Sequence, residues 1–409
     1  FWLKAGCGLR TAKPTRSLQL YATWRMALED LLANWVLPRP ADAKPVWRLS
    51  EREDVGRCIV AAGPIARGEV ICAERPLFQA QASQQLGEAQ AVARAILRGV
   101  RDAPDSPEAT AVGFLQQASS ALVGEAAART SNKLREMGEG DWSELEVEAA
   151  LGKASINVHG AAEQTGVLGF LTSMFEHSCD PSAFVTISLG ESSKASLMVV
   201  RAMWALKVGD PITLSYCVLY QPVALRRTQL QAQHGFQCVC RRCREGVERV
   251  RSFRCPACGD GPCSPAQPTS DLRELVCDGC EATMEVDDEY WAGLEEAEAC
   301  PVVCEKCIGV LHPYHHKLLN MYRMNVDKVP LEGRAELYEQ LADAGTRLWG
   351  RHHPSVARDL RSAALACQQA GDKAQAAELA RQAAEAFVGS FGYASEEAAT
   401  AAVVQAARS

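Results

Sequence analysis

The arrangement of apolar and polar positions predicts strands in two separate parts of the chain. Residues 55–78 alternate short β-prone runs with Gly and Pro, a pattern typical of several strands joined by tight turns. Strand-like runs return after Cys179, over residues 184–189, 196–206 and 211–217. A long segment of different character separates the two parts.

Helical patterns fill most of the remaining chain. Residues 26–36 form one amphipathic pattern, and residues 81–155 are rich in Ala, Glu, Gln and Leu, which predicts several helices. The chain is again helical in pattern from His312 onward. The segment before it, residues 236–310, is rich in cysteine, and its residues 259–270 (GDGPCSPAQPTS) are expected to form an irregular loop.

The C-terminal part contains a helix–turn–helix unit. Small and apolar residues recur at helical spacing over residues 360–387, and Gly371-Asp372 supplies the turn. Pro354 marks the start of the preceding helix, because Pro fits the first turn. One helix pair cannot bury its own apolar face, so we expect tetratricopeptide-like (TPR-like) stacking on neighbouring helices. A plain helical bundle is the alternative.

Composition places the chain among ordinary globular proteins. Of its 409 residues, 47% are hydrophobic and 23% charged, and this length predicts two to three domains. The formal net charge of −7 argues against a protein whose main task is to bind nucleic-acid phosphates. No apolar run is long enough to predict a membrane-spanning helix.

The N-terminal segment is basic. Residues 1–28 carry Lys and Arg but no acidic residue, which resembles an organelle transit peptide in composition. The alternative is untranslated or vector-derived sequence ahead of a start at Met26. Both interpretations stay open.

Cysteine usage indicates bound metal. Of 17 cysteines, 13 lie between Cys179 and Cys307, and four pairs have the Cys-x2-Cys spacing of metal ligands. A disulfide scaffold would normally be a short secreted chain, and no clear secretory signal peptide is present. We therefore expect reduced, zinc-bound cysteines and an intracellular location, in the cytoplasm or nucleus.

The cysteines after residue 250 suggest further zinc sites. One pair, Cys255/Cys258, is followed after eighteen residues by Cys277/Cys280, which is the spacing of a zinc ribbon. The pair Cys304/Cys307 has no obvious partner pair. Its candidate partners are Cys263, Cys300, His312 and His315, or else Cys255/Cys258. All-thiolate tetrahedral sites of this kind are structural, since they leave no open position.

Several short motifs occur in a fixed order. They read VGRC at 55–58 with ERPL at 74–77, SINVHG at 155–160, EHSCDPS at 176–182, and GDPITLSY at 209–216 followed by FQCVCRRC at 236–243. Together they resemble a SET-domain protein methyltransferase, and within that group the SET and MYND (SMYD) family. The resemblance implies an α+β fold: a SET-domain β core with a helical insert, a post-SET zinc region and a TPR-like helical C-terminal domain.

The expected domain organisation follows from this resemblance. The expected boundaries are an N-terminal segment at 1–50, SET parts at 51–80 and 155–235, a helical insert at 81–154, a zinc region at 236–311 and the helical domain at 312–409. The MYND finger is not expected, because no cysteine lies between Cys72 and Cys179.

The family resemblance also implies a site for S-adenosylmethionine. By position, Asn157 and His177 would contact the cofactor, Phe236 would lie against its adenine end, and Arg57 would approach its methionine end. Glu176 stands where the family has Asn, and its carboxylate could accept a hydrogen bond from the cofactor's ammonium.

The post-SET segment supplies three thiolates, from Cys238, Cys240 and Cys243, and a closed zinc site needs four ligands. The family pattern makes Cys179 the fourth. The alternative pairs Cys240 and Cys243 with the Cys255/Cys258 pair.

Tyr216 is the expected catalytic residue. Methyl transfer to an amine needs a neutral lysine, yet only about one free lysine in a thousand is neutral at pH 7.4. A narrow apolar channel disfavours the ammonium, and the enzyme then supplies alignment. A Tyr hydroxyl at the inner end of the channel can accept from the amine and orient its lone pair.

Three departures from the family pattern bear on activity: Glu176, Ser182 in place of Asn, and His234 in place of a second Tyr. The sequence therefore predicts a protein-lysine methyltransferase acting on a histone or another protein. The alternatives are an inactive SET scaffold that binds protein partners through its helical tail, and a SET enzyme with a non-lysine target.

Overall fold

The computed structural model describes residues 28, 30–37, 45–52, 56–267 and 273–391. The N-terminal β-rich part contains β1 (Trp47–Arg52), β2 (Gly56–Ala61), β3 (Val70–Glu74) and β4 (Phe78–Gln81). Strands β1 and β2 pair antiparallel, with Arg52 opposite Gly56 at the hairpin end. The strands predicted within residues 55–78 are confirmed, while residues 1–27 and 392–409 lie outside the described residues.

Six further strands complete this β region: β5 (Val158–Ala161), β6 (Thr165–Leu168), β7 (Glu176–His177), β8 (Ala183–Ser188), β9 (Leu197–Ala202) and β10 (Thr213–Leu214). Small sheets run in the orders β3-β9-β8 and β4-β6-β5. Strands β7 and β10 pair in parallel, which sets His177 beside Leu214. This pairing brings the EHSCDPS and GDPITLSY motifs together.

Four helices separate the two β-rich parts, as the pattern predicts: α1 (Glu88–Asp102), α2 (Pro107–Phe114), α3 (Ser120–Glu136) and α4 (Glu144–Asn157). Helix α4 begins with a capping box, in which Ser143 and Glu146 satisfy each other's backbone N–H groups. The apolar faces of these helices pack into the same hydrophobic core as the strands. The last residue of α4, Asn157, is thereby placed next to β5.

A buried carboxylate fixes the loop that leads into β7. Glu74 is fully buried at the end of β3 and accepts hydrogen bonds from the backbone N–H groups of Leu171 and Thr172, at 2.8 and 2.7 Å. Burial raises the pKa of this carboxyl, against the opposing effect of the hydrogen bonds from Thr172 and Leu171. The loop before β7 is therefore anchored to β3.

The cysteine-rich segment folds around a four-stranded antiparallel sheet in the order β11-β12-β13-β14. Helix α5 (Val223–His234) precedes this segment. The segment itself comprises α6 (Arg241–Arg244), β11 (Phe253–Arg254), β12 (Pro262–Pro265), β13 (Glu274–Cys277), β14 (Thr283–Glu285), α7 (Asp288–Ala299) and α8 (Glu305–Val310). The irregular loop expected at 259–270 is wrong in part. Strand β12 lies inside it, because Cys263 and Ser264 are buried between two neighbouring strands.

The C-terminal part is helical, as predicted: α9 (His316–Asn325), α10 (Leu331–Trp349), α11 (Pro354–Ala370) and α12 (Lys373–Phe391). Helix α11 packs against both α10 and α12. Pro354 occupies its first turn, and His353 caps it by accepting from the Ser355 N–H at 3.1 Å. The Phe391 ring packs edge-on against Phe184 of β8, with ring centroids 5.0 Å apart. TPR-like stacking stays a prediction.

The sequence predicts no membrane-spanning helix. Within the ranges that the structure describes, no helix is long and apolar enough to cross a membrane.

We expect Gly169→Ala to destabilise the fold by about 3 kcal/mol, the cost of overpacking a filled core. The added Cβ would lie within 2.8 Å of Glu74 Oε1, Thr172 Oγ1 and Met198 Sδ. Urea unfolding measures the effect. Gly113→Ala is the matched control, because a Cβ there meets no atom within 4 Å and Ala favours a helix. Equal stability of the two variants would contradict this account.

Candidate active site

Tyr216 follows β10 and is held by two hydrogen bonds to the neighbouring motif. Its backbone N–H donates to His177 Nδ1 at 3.0 Å, and its hydroxyl donates to the carbonyl of Phe175. Burial raises the pKa of Tyr216, and the negative charge of Glu176 adds to the rise. The hydroxyl is therefore protonated at neutral pH, with its lone pairs available to an incoming donor.

The Tyr216 ring belongs to a cluster of four aromatic rings. The ring centroid of His177 lies 5.3 Å from that of Tyr216 and 5.9 Å from that of Phe236. The His234 ring lies 4.9 Å from Tyr216, at an angle of 33°. Burial and then the proximity of His177 lower the pKa of His234 to about 4, so its ring is neutral near pH 7. The cluster contains three site residues predicted from the sequence, namely His177, Tyr216 and Phe236. His234, which stands where the family pattern has Tyr, is its fourth member.

The predicted residue Glu176 is engaged by a partner from β1. The Arg52 guanidinium donates to both carboxylate oxygens of Glu176, at 2.9 and 3.2 Å. The Glu176 side chain is 10% exposed, so this ion pair is partly shielded from solvent. Arg52 therefore offsets the negative charge that Glu176 introduces where the family has a neutral Asn.

Asn157 and Arg57 have different surroundings. The Asn157 amide donates to the carbonyls of Gln116 and Lys153, at 2.9 and 2.7 Å, so its Oδ1 is the atom left to accept from a ligand. Arg57 points to the end of α2, where it donates to the Phe114 carbonyl at 2.8 Å. Burial lowers the pKa of Arg57, against the opposing charge of Glu51.

A cavity of about 920 Å³ lies beside Tyr216. Its wall includes Asn157, His159, Ser215, Tyr216, Gln229 and His234. Ligand pockets in proteins typically measure about 300–1,000 Å³, so this cavity is large enough for a cofactor or a substrate side chain. Of the predicted catalytic and cofactor-binding residues, Asn157 and Tyr216 line it. The other four, Arg57, Glu176, His177 and Phe236, do not.

Ser182 has a structural function here. Its Oγ accepts from the Thr213 N–H at 2.9 Å and donates to the Pro211 carbonyl at 3.1 Å. The Ser182 N–H in turn donates to Thr213 Oγ1 at 2.9 Å. These bonds tie the EHSCDPS turn to the GDPIT segment, so the loss of Asn at this position does not loosen the two motifs.

Four thiols lie close together next to His177 of the ring cluster. Cys179 Sγ lies 3.5 Å from the sulfur of Cys243 and 3.9 Å from that of Cys238, and Cys240 completes the group. Tetrahedral zinc–thiolate sites, with bonds of about 2.3 Å, separate their sulfurs by about 3.8 Å, which these distances fit. Among the described residues, Cys240 and Cys243 group with Cys179 and Cys238 and not with Cys255 and Cys258.

Basic residues surround this group of four cysteines. The Arg242 guanidinium donates to the carbonyls of Cys179 and Leu219, at 2.9 and 2.8 Å. Arg226 is fully buried and donates to Cys243 Sγ at 3.5 Å. Glu248 lies 3.6 Å from Arg226. These cations offset the negative charge that four thiolates would bring.

His177 connects the ring cluster to the thiols. Its Nδ1 accepts from Tyr216, so the proton belongs on Nε2, which lies 3.3 Å from Cys179 Sγ. Cys217 is a further thiol nearby, 4.0 Å from Cys179. Sequence reasoning missed Arg52, Arg242 and Cys217. Cys217 directly follows Tyr216 in the motif, and that adjacency was the available signal.

The zinc-ribbon spacing also brings its cysteines together. Cys255 Sγ lies 3.8 Å from Cys280 Sγ, and Cys258 Sγ lies 3.9 Å from Cys277 Sγ. Cys304 and Cys307 are grouped instead with Cys300. Cys263 lies opposite Cys277 in the neighbouring strand, and His315 Nε2 donates to a Glu298 oxygen 2.9 Å away.

Comparison with known proteins finds similarity over part of the chain. Residues 56–217 match the SET domain family. Two SET and MYND domain-containing proteins of Dictyostelium discoideum are 33% identical over 82 residues and 32% identical over 84 residues. Each alignment covers 20% of this chain and 20% or 23% of the relative. The chain thus matches about a fifth of the length of these curated relatives.

Solved structures of SET proteins are among those to which this chain is similar at low sequence identity. The SET domain of LSMT bound to lysine and AdoHcy covers 96% of this chain and 91% of its own, at 14% identity and a TM-score of 0.41. The Neurospora SET domain protein DIM-5, a histone lysine methyltransferase, covers 42% and 52%, at 14% identity and a TM-score of 0.21. This chain contains a SET domain over residues 56–217 and has an α+β fold, and part of it is similar to the SET and MYND domain-containing proteins.

Cys243→Ser is expected to remove one metal ion per chain and to lower the melting temperature, because Cys243 belongs to the closed group of four thiols. Cys217→Ser is the matched control: it lies equally near Cys179 but outside that group, and it should retain the metal. Elemental analysis and thermal melting of the purified full chain measure both effects. Loss of metal from Cys217→Ser instead would show that the ligand set is assigned wrongly.

Proposed function

We propose that this chain is an S-adenosylmethionine-dependent protein-lysine methyltransferase. The observation that carries the proposal is the Tyr216 hydroxyl, fixed by the Phe175 carbonyl beside a cavity within a SET domain. The substrate would be the lysine side chain of a histone or another protein. An intracellular location is part of the proposal, because free thiols persist in reducing compartments.

Asn157 in the cavity wall and the residues next to Tyr216 support a site for the cofactor. His177 and Phe236 offer ring faces, Asn157 offers its Oδ1, and Glu176 is held in place by Arg52. We propose that these residues, with Arg57 on the neighbouring strand β2, bind S-adenosylmethionine. When bound, the cofactor supplies an electrophilic methyl group on a sulfonium.

The chain's own contribution to catalysis is alignment of the amine. The neutral His234 ring and the Tyr216 ring give the inner end of the cavity an apolar face that disfavours an ammonium. The Tyr216 hydroxyl donates to Phe175, so its oxygen can accept a hydrogen bond from the lysine amine and direct the amine's lone pair.

We further propose zinc in both groups of four cysteines. The sulfur separations of 3.5–3.9 Å fit a tetrahedral all-thiolate site. In this assignment Cys179, Cys238, Cys240 and Cys243 hold one ion, and Cys255, Cys258, Cys277 and Cys280 hold another. Neither ion would have an open position, so both would be structural.

The competing function is an inactive SET scaffold that recruits proteins through helices α10 to α12. Calorimetric titration of the zinc-loaded full chain with S-adenosylmethionine separates the two. Saturable binding that His177→Ala weakens by about tenfold, or about 1.4 kcal/mol, supports the methyltransferase. Absence of binding by a folded, zinc-replete chain would leave the scaffold.

Tyr216→Phe is expected to lower the rate of methyl transfer by about 100-fold, the cost of misplacing a reacting group. Binding of S-adenosylmethionine should stay nearly unchanged. Methylation of a mixed histone preparation with labelled cofactor measures the rate. Tyr220→Phe is the control. The buried Tyr220 hydroxyl donates to the Leu341 carbonyl at 3.4 Å, and Tyr220 does not line the cavity. Equal losses in both variants would count against a catalytic function for Tyr216.

A further inference from the structure

A third group of thiols lies apart from both groups of four. Cys300 directly follows α7, Cys304 precedes α8, and Cys307 lies in the first turn of α8. Their sulfur atoms all lie within 4.8 Å of one another. Cys307 is buried, whereas Cys304 is exposed to solvent.

The spacing within this group is that of metal ligands. Cys304 Sγ lies 3.5 Å from Cys307 Sγ, the same distance that separates Cys179 from Cys243. A disulfide would bring the two sulfurs to about 2.05 Å, and a zinc–thiolate site would hold them about 3.8 Å apart. The thiols are therefore arranged like two ligands of one ion.

The loop between Cys300 and Cys304 already holds this arrangement. The Cys300 thiol donates to the Val302 carbonyl at 2.9 Å, and the Cys307 thiol points to the same carbonyl at 4.0 Å. The Lys317 ammonium donates to the carbonyls of Glu298 and Cys300. This places a positive charge beside the group, where it would offset the net charge of three thiolates and a divalent ion.

The two candidate histidines, His312 and His315, have different partners. His315 Nε2 lies 2.9 Å from a Glu298 oxygen, and that carboxylate also binds Arg251 through three short hydrogen bonds. His312 Nδ1 accepts from the Tyr314 N–H at 3.1 Å. The group within the described residues is thus one of three thiolates, and a cavity of about 290 Å³ opens beside it, lined by all three cysteines.

We propose that Cys300, Cys304 and Cys307 bind a third zinc ion, whose fourth coordination position faces this cavity and is taken by exchangeable solvent. A site with three protein ligands and an open position differs from the closed structural sites. It would lose its metal to a chelator before the other two. The proposal concerns metal binding alone and does not depend on methyl transfer.

Native mass spectrometry of the full chain, purified under reducing conditions with Zn²⁺ supplied, tests this directly. We expect three zinc ions per wild-type chain, two in Cys304→Ser, two in Cys280→Ser and one in the double variant. Cys304 and Cys280 are both exposed ligand positions, which makes them a matched pair. Cys367→Ser, a cysteine in α11 outside all three groups, should keep three.

A brief exposure to a chelator adds a second measurement. The wild-type chain should release one zinc ion at least tenfold faster than the other two, and Cys304→Ser should lack this fast phase. Two zinc ions in both the wild type and Cys304→Ser would overturn the proposal. A Cys304–Cys307 disulfide in the reduced preparation would overturn it as well.

Discussion

Cys179 is the point on which the rest of the site depends. Its sulfur lies among the three post-SET thiols and 3.3 Å from His177 Nε2, while its carbonyl accepts from Arg242. His177 in turn accepts from the backbone of Tyr216. A single buried sulfur therefore links the group of four cysteines, the ring cluster and Tyr216. A change in the partners of this sulfur would therefore act on the position of Tyr216 through His177.

The departures from the family pattern have local compensation. Glu176 carries a negative charge, and Arg52, at the end of the β1–β2 hairpin, donates a hydrogen bond to its carboxylate. Ser182 replaces an amide, yet it joins the two motifs through bonds with Thr213 and Pro211. His234 replaces a phenol with a ring that is neutral and packs beside Tyr216. Each of the three side chains therefore has defined partners within the fold.

Local sequence patterns predicted the strands and helices better than the contacts between them. Strand and helix periodicity, the Pro354 helix start and the Cys-x2-Cys spacing all concern neighbours in sequence, and the structure bears out the elements. Strand β12 was missed because Pro and Gly around Cys263 suggest a loop, whereas burial between two strands decides its conformation. Arg52 was missed because its contact with Glu176 spans 124 residues. The partners of Cys304 and Cys307 could not be chosen from spacing, since Cys300 reaches them only through the turn after α7.

We propose that a metal ion bound at Cys179 holds the proposed cofactor site together. The most direct test is the affinity of the full chain for S-adenosylmethionine, measured by calorimetry with zinc bound and again after zinc removal, with circular dichroism to check that the SET core stays folded. The account predicts binding by the zinc-loaded chain and at least tenfold weaker binding by the zinc-free chain. Equal affinity in the two states, or no binding in either, would contradict it.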